Sequence, residues 1–340
     1  MKKHKKDEKT RRRFLAQVKY SAKRHTPRWK NRKKSKQLFR QNKQLKKRRQ
    51  LKKPYLVHKA PTIFSLTRNT NEVLKYFTEA EKFMKDEENL IFDISDVTEL
   101  TPDTIALLVA SVKDPDFCHE SEVRGNEPKD PYLKKLFSES GFYEHVNAYG
   151  FKKSREGNLL HKEVSRVVVT EIAKEASLTG IKNVFDNNKP YEPLYNTIIE
   201  CMSNTNNHAN LKHQGQCNWW LYVYNDPNSK STSYSFLDLG VGIFRSTVME
   251  NYIKNLAKNT GLYKNINLVD DLLKGKIQSR ILIDKEIRGK GIPEIVKHSK
   301  LKHFKSFYLI TNDVKIDLKT GEKTQLDFSL HGTFWYWELV

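Results

Sequence analysis

Glu200, Asn204 and His208 stand four residues apart in IIECMSNTNNHAN, residues 198–210. On a helix, four residues advance about 400°, so these side chains form a nearly straight row. Leu194, Ile198, Cys201, Met202 and Thr205 would cover the core side. A row of acid, amide and imidazole is costly to bury and idle when fully solvated. Lining a polar cleft, it has chemistry. The Asn204 amide oxygen can hold a hard cation, and Glu200 can polarise a water. Mg²⁺ keeps its waters and takes few protein oxygens when phosphates complete its shell, so one amide suffices. Asn206 and Asn207 flank the row, and Asn207 is the better placed for a phosphate or a metal-bound water. A solvated helix face rich in Asn and His is the commoner origin of such spacing.

Three further stretches change the weighing. In FLDLGVGI, residues 236–243, Asp238 leaves an apolar run and meets Gly240 and Gly242. A carboxylate at a strand end can accept a hydrogen bond from an exocyclic amine, and glycines permit close backbone approach. In IRGKGIP, residues 287–293, Gly289 and Gly291 free backbone N–H groups to face phosphates, with Arg288 or Lys290 supplying charge. Gly332-Thr333 opens the last apolar run, where a small hydroxyl can reach a ligand or a water. Each glycine pair alone is a common turn.

In this order the motifs resemble the GHKL ATP-binding family of gyrase-type topoisomerases, histidine kinases, mismatch-repair ATPases and anti-sigma serine kinases. The N-box E-x-x-x-N matches Glu200 and Asn204, and His208 falls where the family often has a polar or basic residue. D-x-G-x-G matches Asp238, Gly240 and Gly242, G-x-G matches Gly289 and Gly291, and the terminal G-T matches Gly332 and Thr333. The resemblance covers residues 160–340. It implies an α+β two-layer sandwich of the Bergerat type that binds ATP with Mg²⁺. Asp238 would hold the adenine amine, supported by Thr333 through water, and Asn204 would ligate Mg²⁺. Residues 244–293 would form a lid over the phosphates.

The elements that must position these residues can be read from periodicity. HKEVSRVVVTEIAKEA (161–176) and YEPLYNTIIECMSNTNNHANL (191–211) read as helices, the second starting near Pro193. CNWWLYVYND, STSYSFLDLG, SFYLITND, VKIDL, QLDFSL and GTFWYWELV read as strands, with turns at DPNSK and KTGE. Helices followed by strands predict an α+β layer with one sheet face covered. Trp219, Trp220, Trp335 and Trp337 are read as sheet-face and core aromatics. His161 in LHKEVSR faintly resembles a histidine-kinase phosphoacceptor box, but the acid is displaced by one position. A capping His at a helix start is the plainer reading.

Residues 54–150 alternate differently. Helices are expected over 69–86, over 101–114 with Thr101 as N-cap and Pro102 at its first position, and over 130–146 with a stop at Ser140-Gly141. NLIFDISDVTEL reads as a buried strand and SEVRGNEP as a strand running into a turn. This α/β unit is similar to STAS domains, carried by Asp93-Ile94-Ser95-Asp96-Val97-Thr98-Glu99-Leu100 and the turn Thr101-Pro102-Asp103-Thr104. In that family a serine of the turn accepts phosphate from a partner kinase. Pro102 and Asp103 stand there, so the resemblance implies a docking or regulatory face for a protein partner rather than a substrate.

Charge divides the chain. Residues 1–53 carry 25 Lys and Arg against 2 Asp and Glu; the whole chain carries 62 against 40, leaving 37 against 38 for the rest. Such a segment cannot bury enough apolar surface to order itself, and is expected to be disordered alone. Phe14, Tyr20, Trp29 and Phe39 interleave with its charges, a pattern suited to phosphate contact and base stacking on nucleic acid, or to any polyanion. Cys118, Cys201 and Cys217 form no C-x-x-C pair, which points to a reducing cytoplasm. The longest apolar runs, such as IALLVASV, are too short to span a bilayer.

The function expected is an ATP-binding protein of the GHKL type: a slow Mg²⁺-dependent ATPase with Glu200 as base, or a nucleotide-switched regulator. A serine/threonine kinase of the anti-sigma type, or a non-hydrolysing ATP latch tethered to nucleic acid, are the alternatives.

Overall fold

The computed structural model describes residues 53–146, 154–163, 168–208, 218–226, 228–246, 249, 264–277 and 291–340, with the backbone alone for 206–208. The basic segment 1–52, Cys217 and much of the expected lid lie outside the described residues.

The first half runs β1 (Tyr55–Lys59), β2 (Ile63–Phe64), α1 (Thr70–Lys85), β3 (Asn89–Asp93), β4 (Glu99–Leu100), α2 (Pro102–Val112), α3 (Pro115–Cys118), β5 (Val123–Gly125), α4 (Pro131–Ser138) and α5 (Phe142–His145). Strands β1, β3 and β5 form a parallel sheet, and β2 pairs with β4. Val73, Leu74, Tyr76, Phe77, Ala80 and Met84 recur at helical spacing and are the buried side of α1. Helix α2 begins at Pro102 after Thr101 in extended backbone, as its proline predicts. Its residues Asp103–Ser111 are buried all round. NLIFDISDVTEL is not one strand: β3 stops at Asp93, whose carboxylate takes the Ser95 N–H at 3.0 Å and turns the chain.

The second half runs β6 (Leu159–Glu163), α6 (Thr170–Phe185), α7 (Glu192–His208), β7 (Trp219–Asn225), β8 (Thr232–Asp238), 3₁₀ turns at Ile243–Arg245 and Asn265–Leu268, α8 (Val269–Leu273), α9 (Gly291–Ser299), β9 (Phe304–Asp317) and β10 (Lys323–Leu339). An antiparallel sheet in the order β6-β7-β8-β10-β9 results. Three expectations need correction. His161 lies in edge strand β6, opposite Leu221, not at a helix start. The β-branched Val168 and Val169 precede the helix, which starts only at Thr170. VKIDL and QLDFSL are not separate strands, because β9 and β10 each continue through a local irregularity, Asn312 at φ +51° and Gly332 at φ +126°.

The sheet is covered on both faces, not one. Along β7, Trp219, Leu221 and Val223 enter a core with α6, α7 and α9, while Trp220, Tyr222 and Tyr224 enter a second core with α1 and α2. Helix α1 lies against both β10 and β3, and α2 packs on β7 and β8. Every β7 residue is buried, so its unbroken apolar run carried a two-sided signal. Residues Tyr55–Val340 therefore form one compact mixed α/β unit.

Candidate functional site

Asp238 ends β8 and sits directly opposite Thr333 of β10 in the ladder. That register needs Gly332: a Cβ there would stand 1.9 Å from the Asp238 carbonyl oxygen, an impossible approach for any other residue. The Asp238 carboxylate is buried, accepts the Gly240 N–H at 3.0 Å, and lies 3.5 Å from the Thr205 hydroxyl. Burial pushes its pKa up to about 6, while the Gly240 N–H and the Thr333 and Thr205 hydroxyls pull the other way.

The turn after Asp238 is clamped from β9. The Asn312 amide accepts the Phe244 N–H at 3.0 Å and donates to the Val241 carbonyl at 2.9 Å. Thr311 Oγ1 accepts the Ile243 N–H at 2.9 Å and donates to the Gly332 carbonyl at 3.0 Å. Gly242 has φ +77°, and a Cβ there would meet the Asn312 amide at 2.5 Å. Thr205, Thr311 and Asn312 were not singled out for the site from sequence. The signal available was the buried polar pair Thr311-Asn312 directly after the apolar run Phe307–Ile310.

Helix α7 joins this end to a second one. Thr205 touches Asp238, and the preceding residue, Asn204, faces α9. A Cβ on Gly291, the first residue of α9, would stand 2.6 Å from Glu200 Oε2 and 3.2 Å from Asn204 Oδ1. Asn204 Nδ2 is buried and has no hydrogen-bond partner among the described residues. Glu200 is half-buried, and burial, then the Glu294 carboxylate, raise its pKa. The structure thus gathers Glu200, Asn204, Asp238, Gly240, Gly242, Gly291 and Thr333 around α7, the end of β8 and the middle of β10. Arg288, Gly289, Lys290 and the side chains of Asn207 and His208 lie outside the described residues.

Among the described residues no cluster of three or more His, Cys, Asp or Glu side chains could hold a metal. An amide oxygen beside one carboxylate and a glycine cradle fits a hard divalent cation whose remaining ligands are phosphates and water. The two threonines that flank the Pro102-Asp103 turn are engaged. Thr101 donates its hydroxyl to Asp103, and buried Thr104 accepts the Leu66 N–H at 2.7 Å.

No protein-family model, curated protein or solved structure gives a match to this chain.

Proposed function

We propose that this chain binds ATP with Mg²⁺ in the manner of the GHKL family, between α7 and the end of the five-stranded sheet. One observation carries the reading. A single helix presents Thr205 to the Asp238–Thr333 pair and Asn204 with Glu200 to the start of α9, so a base end and a phosphate end share one edge. Ionised Asp238 accepts the exocyclic amine of adenine, and the Thr333 and Thr205 hydroxyls fix that carboxylate. Asn204 holds the cation through its amide oxygen; bound there, Mg²⁺ supplies positive charge to the phosphates. Glu200, with a raised pKa, takes a proton from an attacking water. Arg288 and Lys290, from the sequence, would add charge at the lid.

The N-terminal module, which resembles a STAS domain, packs on the opposite sheet face and acts as a regulatory face. Between it and the site lies a cavity of about 150 Å³ lined by Leu74, Phe77, Leu107, Leu239 and Gly240 among others. It reaches the turn whose N–H holds Asp238, which gives a partner on that module a route to the site. A serine/threonine kinase would need an acceptor on another protein, since Thr101 and Thr104 are engaged. The close seating of Gly291 on Glu200 favours a second reading, an ATP latch without turnover, because little room is left for water at that carboxylate. Residues 1–53 would tether the protein to nucleic acid or another polyanion. Among the described residues no helix is long and apolar enough to cross a membrane, and a cytoplasmic setting is part of the same proposal.

ATP titration with and without Mg²⁺, followed by phosphate release with RNA or DNA present, tests the reading. Saturable Mg²⁺-dependent binding lost in Asp238→Asn is expected. Binding indifferent to both changes refutes it. Turnover lost in Glu200→Ala with ATP binding kept selects the ATPase over the latch, and stable label on protein selects the kinase.

A further inference from the structure

Helix α9 is held against α7 at both ends. At its start, Gly291 lies on Glu200 and Asn204. At its end, His298 Nδ1 lies 3.0 Å from the hydroxyl oxygen of Thr197, and both residues are buried. Thr197, Glu200 and Asn204 follow one another along α7, so the two helices run antiparallel between these contacts. Ile295 of α9 is fully buried in the front core.

The hydrogen in the Thr197–His298 contact can be assigned from the network. The Thr197 hydroxyl has one proton, and it goes to the Pro193 carbonyl at 2.7 Å. Thr197 can therefore only accept from the ring, and His298 Nδ1 carries the hydrogen. The other ring nitrogen faces Glu294 Oε1 at 3.8 Å. Glu192 on α7 and Lys297 on α9 are the other charges that act on this ring. Glu294 also acts on Glu200. This buried bond sits at the opposite end of α9 from Gly291, which lies against the Glu200 carboxylate.

We propose that the Thr197–His298 hydrogen bond is the anchor that seats α9 on α7, making the two side chains positioning residues for the triphosphate end of the bound nucleotide and not for its base. The assignment rests on the nucleotide reading above. The base end is held by Asp238 and Thr333 on β8 and β10, whereas the hydrogen bonds of Thr197 and His298 stay within α7 and α9. Removing the Thr197 hydroxyl leaves the His298 Nδ1–H buried and unpaired, while removing the ring unties α9 and leaves Thr197 bonded only to the Pro193 carbonyl. The helix then shifts at its first turn, where no side chain of Gly291 exists to hold it.

The test uses the full chain and three probes: ATP, ADP and adenosine, each with Mg²⁺. Thr197→Val and His298→Ala are expected to weaken ATP binding about tenfold, to shrink the ATP-to-ADP preference, and to leave adenosine binding unchanged. Thr197→Ser keeps the hydroxyl and His298→Asn keeps a donor near Nδ1, so both should restore the preference. Equal weakening of all three probes, or no weakening, overturns the proposal. Asp238→Asn separates the two claims: if the unmutated protein and this variant bind ATP alike, the nucleotide reading is what fails. Hydrogen exchange in nucleotide-free protein then decides the anchor by itself. Thr197→Val must speed exchange across 291–299 about tenfold or more while β8 and β10 keep their protection, and unchanged exchange there refutes it.

Discussion

The two faces of the five-stranded sheet are written by alternate residues of the same strands, yet they do different work. The front face presents Trp219, Leu221, Val223, Phe236, Trp335 and Trp337 to α6, α7 and α9. The back face presents Trp220, Tyr222, Tyr224, Leu237 and Phe334, with Ser233 and Ser235 between them, to α1 and α2. The front is nearly all hydrocarbon and indole, as in a domain core. The back mixes aromatic rings with hydroxyls, the composition of surfaces that meet another module. Polar ties confirm the docking: Lys315 reaches the Thr67 carbonyl, and Asp327 N–H donates to the Asn71 amide at 3.0 Å. A strand apolar on both faces thus packs a helix layer on each side.

The largest effect should come from the shared back core. Phe334 is fully buried in the cluster that joins both modules. Phe334→Ala should cost about 3–5 kcal/mol in urea unfolding. Far-UV and near-UV signals should still change together, because the core of the first half is continuous with that face. Two separated transitions would mean that the modules fold independently.

The front face should answer differently, in binding before stability. Asp238→Asn removes the carboxylate proposed to accept the adenine amine while keeping an oxygen for the Gly240 N–H. ATP binding should fall about a hundredfold, on the order of 3 kcal/mol. Stability should move the other way. The folded carboxyl titrates at about 6 against 3.8 unfolded. Below the lower value both states hold the proton. Between the two, only the folded state does, so this group's contribution falls as pH rises and is fully unfavourable above about 6. The variant should therefore be more stable than the unmutated protein at pH 8, by about 1–3 kcal/mol, and the gain should vanish near pH 3.5. Calorimetry at the two pH values checks the sign.

A third change keeps to the back module. Asp103 is fully buried and accepts the Thr67 N–H at 2.7 Å and the Thr104 N–H at 2.8 Å. Asp103→Ala should cost about 2 kcal/mol and leave ATP affinity within about twofold. A large loss of affinity would show that the module sets the nucleotide site directly.

How much of this was legible follows from what period and spacing can encode. The row Glu200–Asn204 was readable because helix period alone puts both on one side. The meeting of Asp238 with Thr333 was not. It depends on the register of β8 with β10, which no local pattern states, and it was reached only through the order of the glycine motifs. Thr205 was assigned to the core side of α7. It is buried there, and its neighbour on that side is the Asp238 carboxylate. The role of Asn312 was hidden because a positive φ inside a strand leaves no periodic trace; Asn tolerates that backbone and turns its amide onto the Gly242 turn. The two-sided burial was legible and went unread. WWLYVYN has no polar alternation, and a strand without alternation needs partners on both faces.

The smallest expected effect is the finest probe of the front face. Gly291→Ala adds one methyl at the start of α9, 2.6 Å from Glu200 Oε2 and 3.2 Å from Asn204 Oδ1. Two terms oppose each other. Alanine favours helix by up to about 1 kcal/mol, less at a first turn. The methyl forces the Glu200 carboxylate aside, and that side chain is half-buried but free to rotate, so relief is cheap. The melting temperature should then stay within about 2 °C. Function should not be so tolerant. A displaced Glu200 no longer faces the phosphate end, so turnover should fall about tenfold at unchanged adenosine affinity, with ATP affinity lower by a few-fold. Because the change touches neither Asp238 nor any back-face residue, equal losses for adenosine and ATP would show that the two ends of the site are not separately held. That result would collapse the contrast between a sheet-built base end and a helix-built phosphate end.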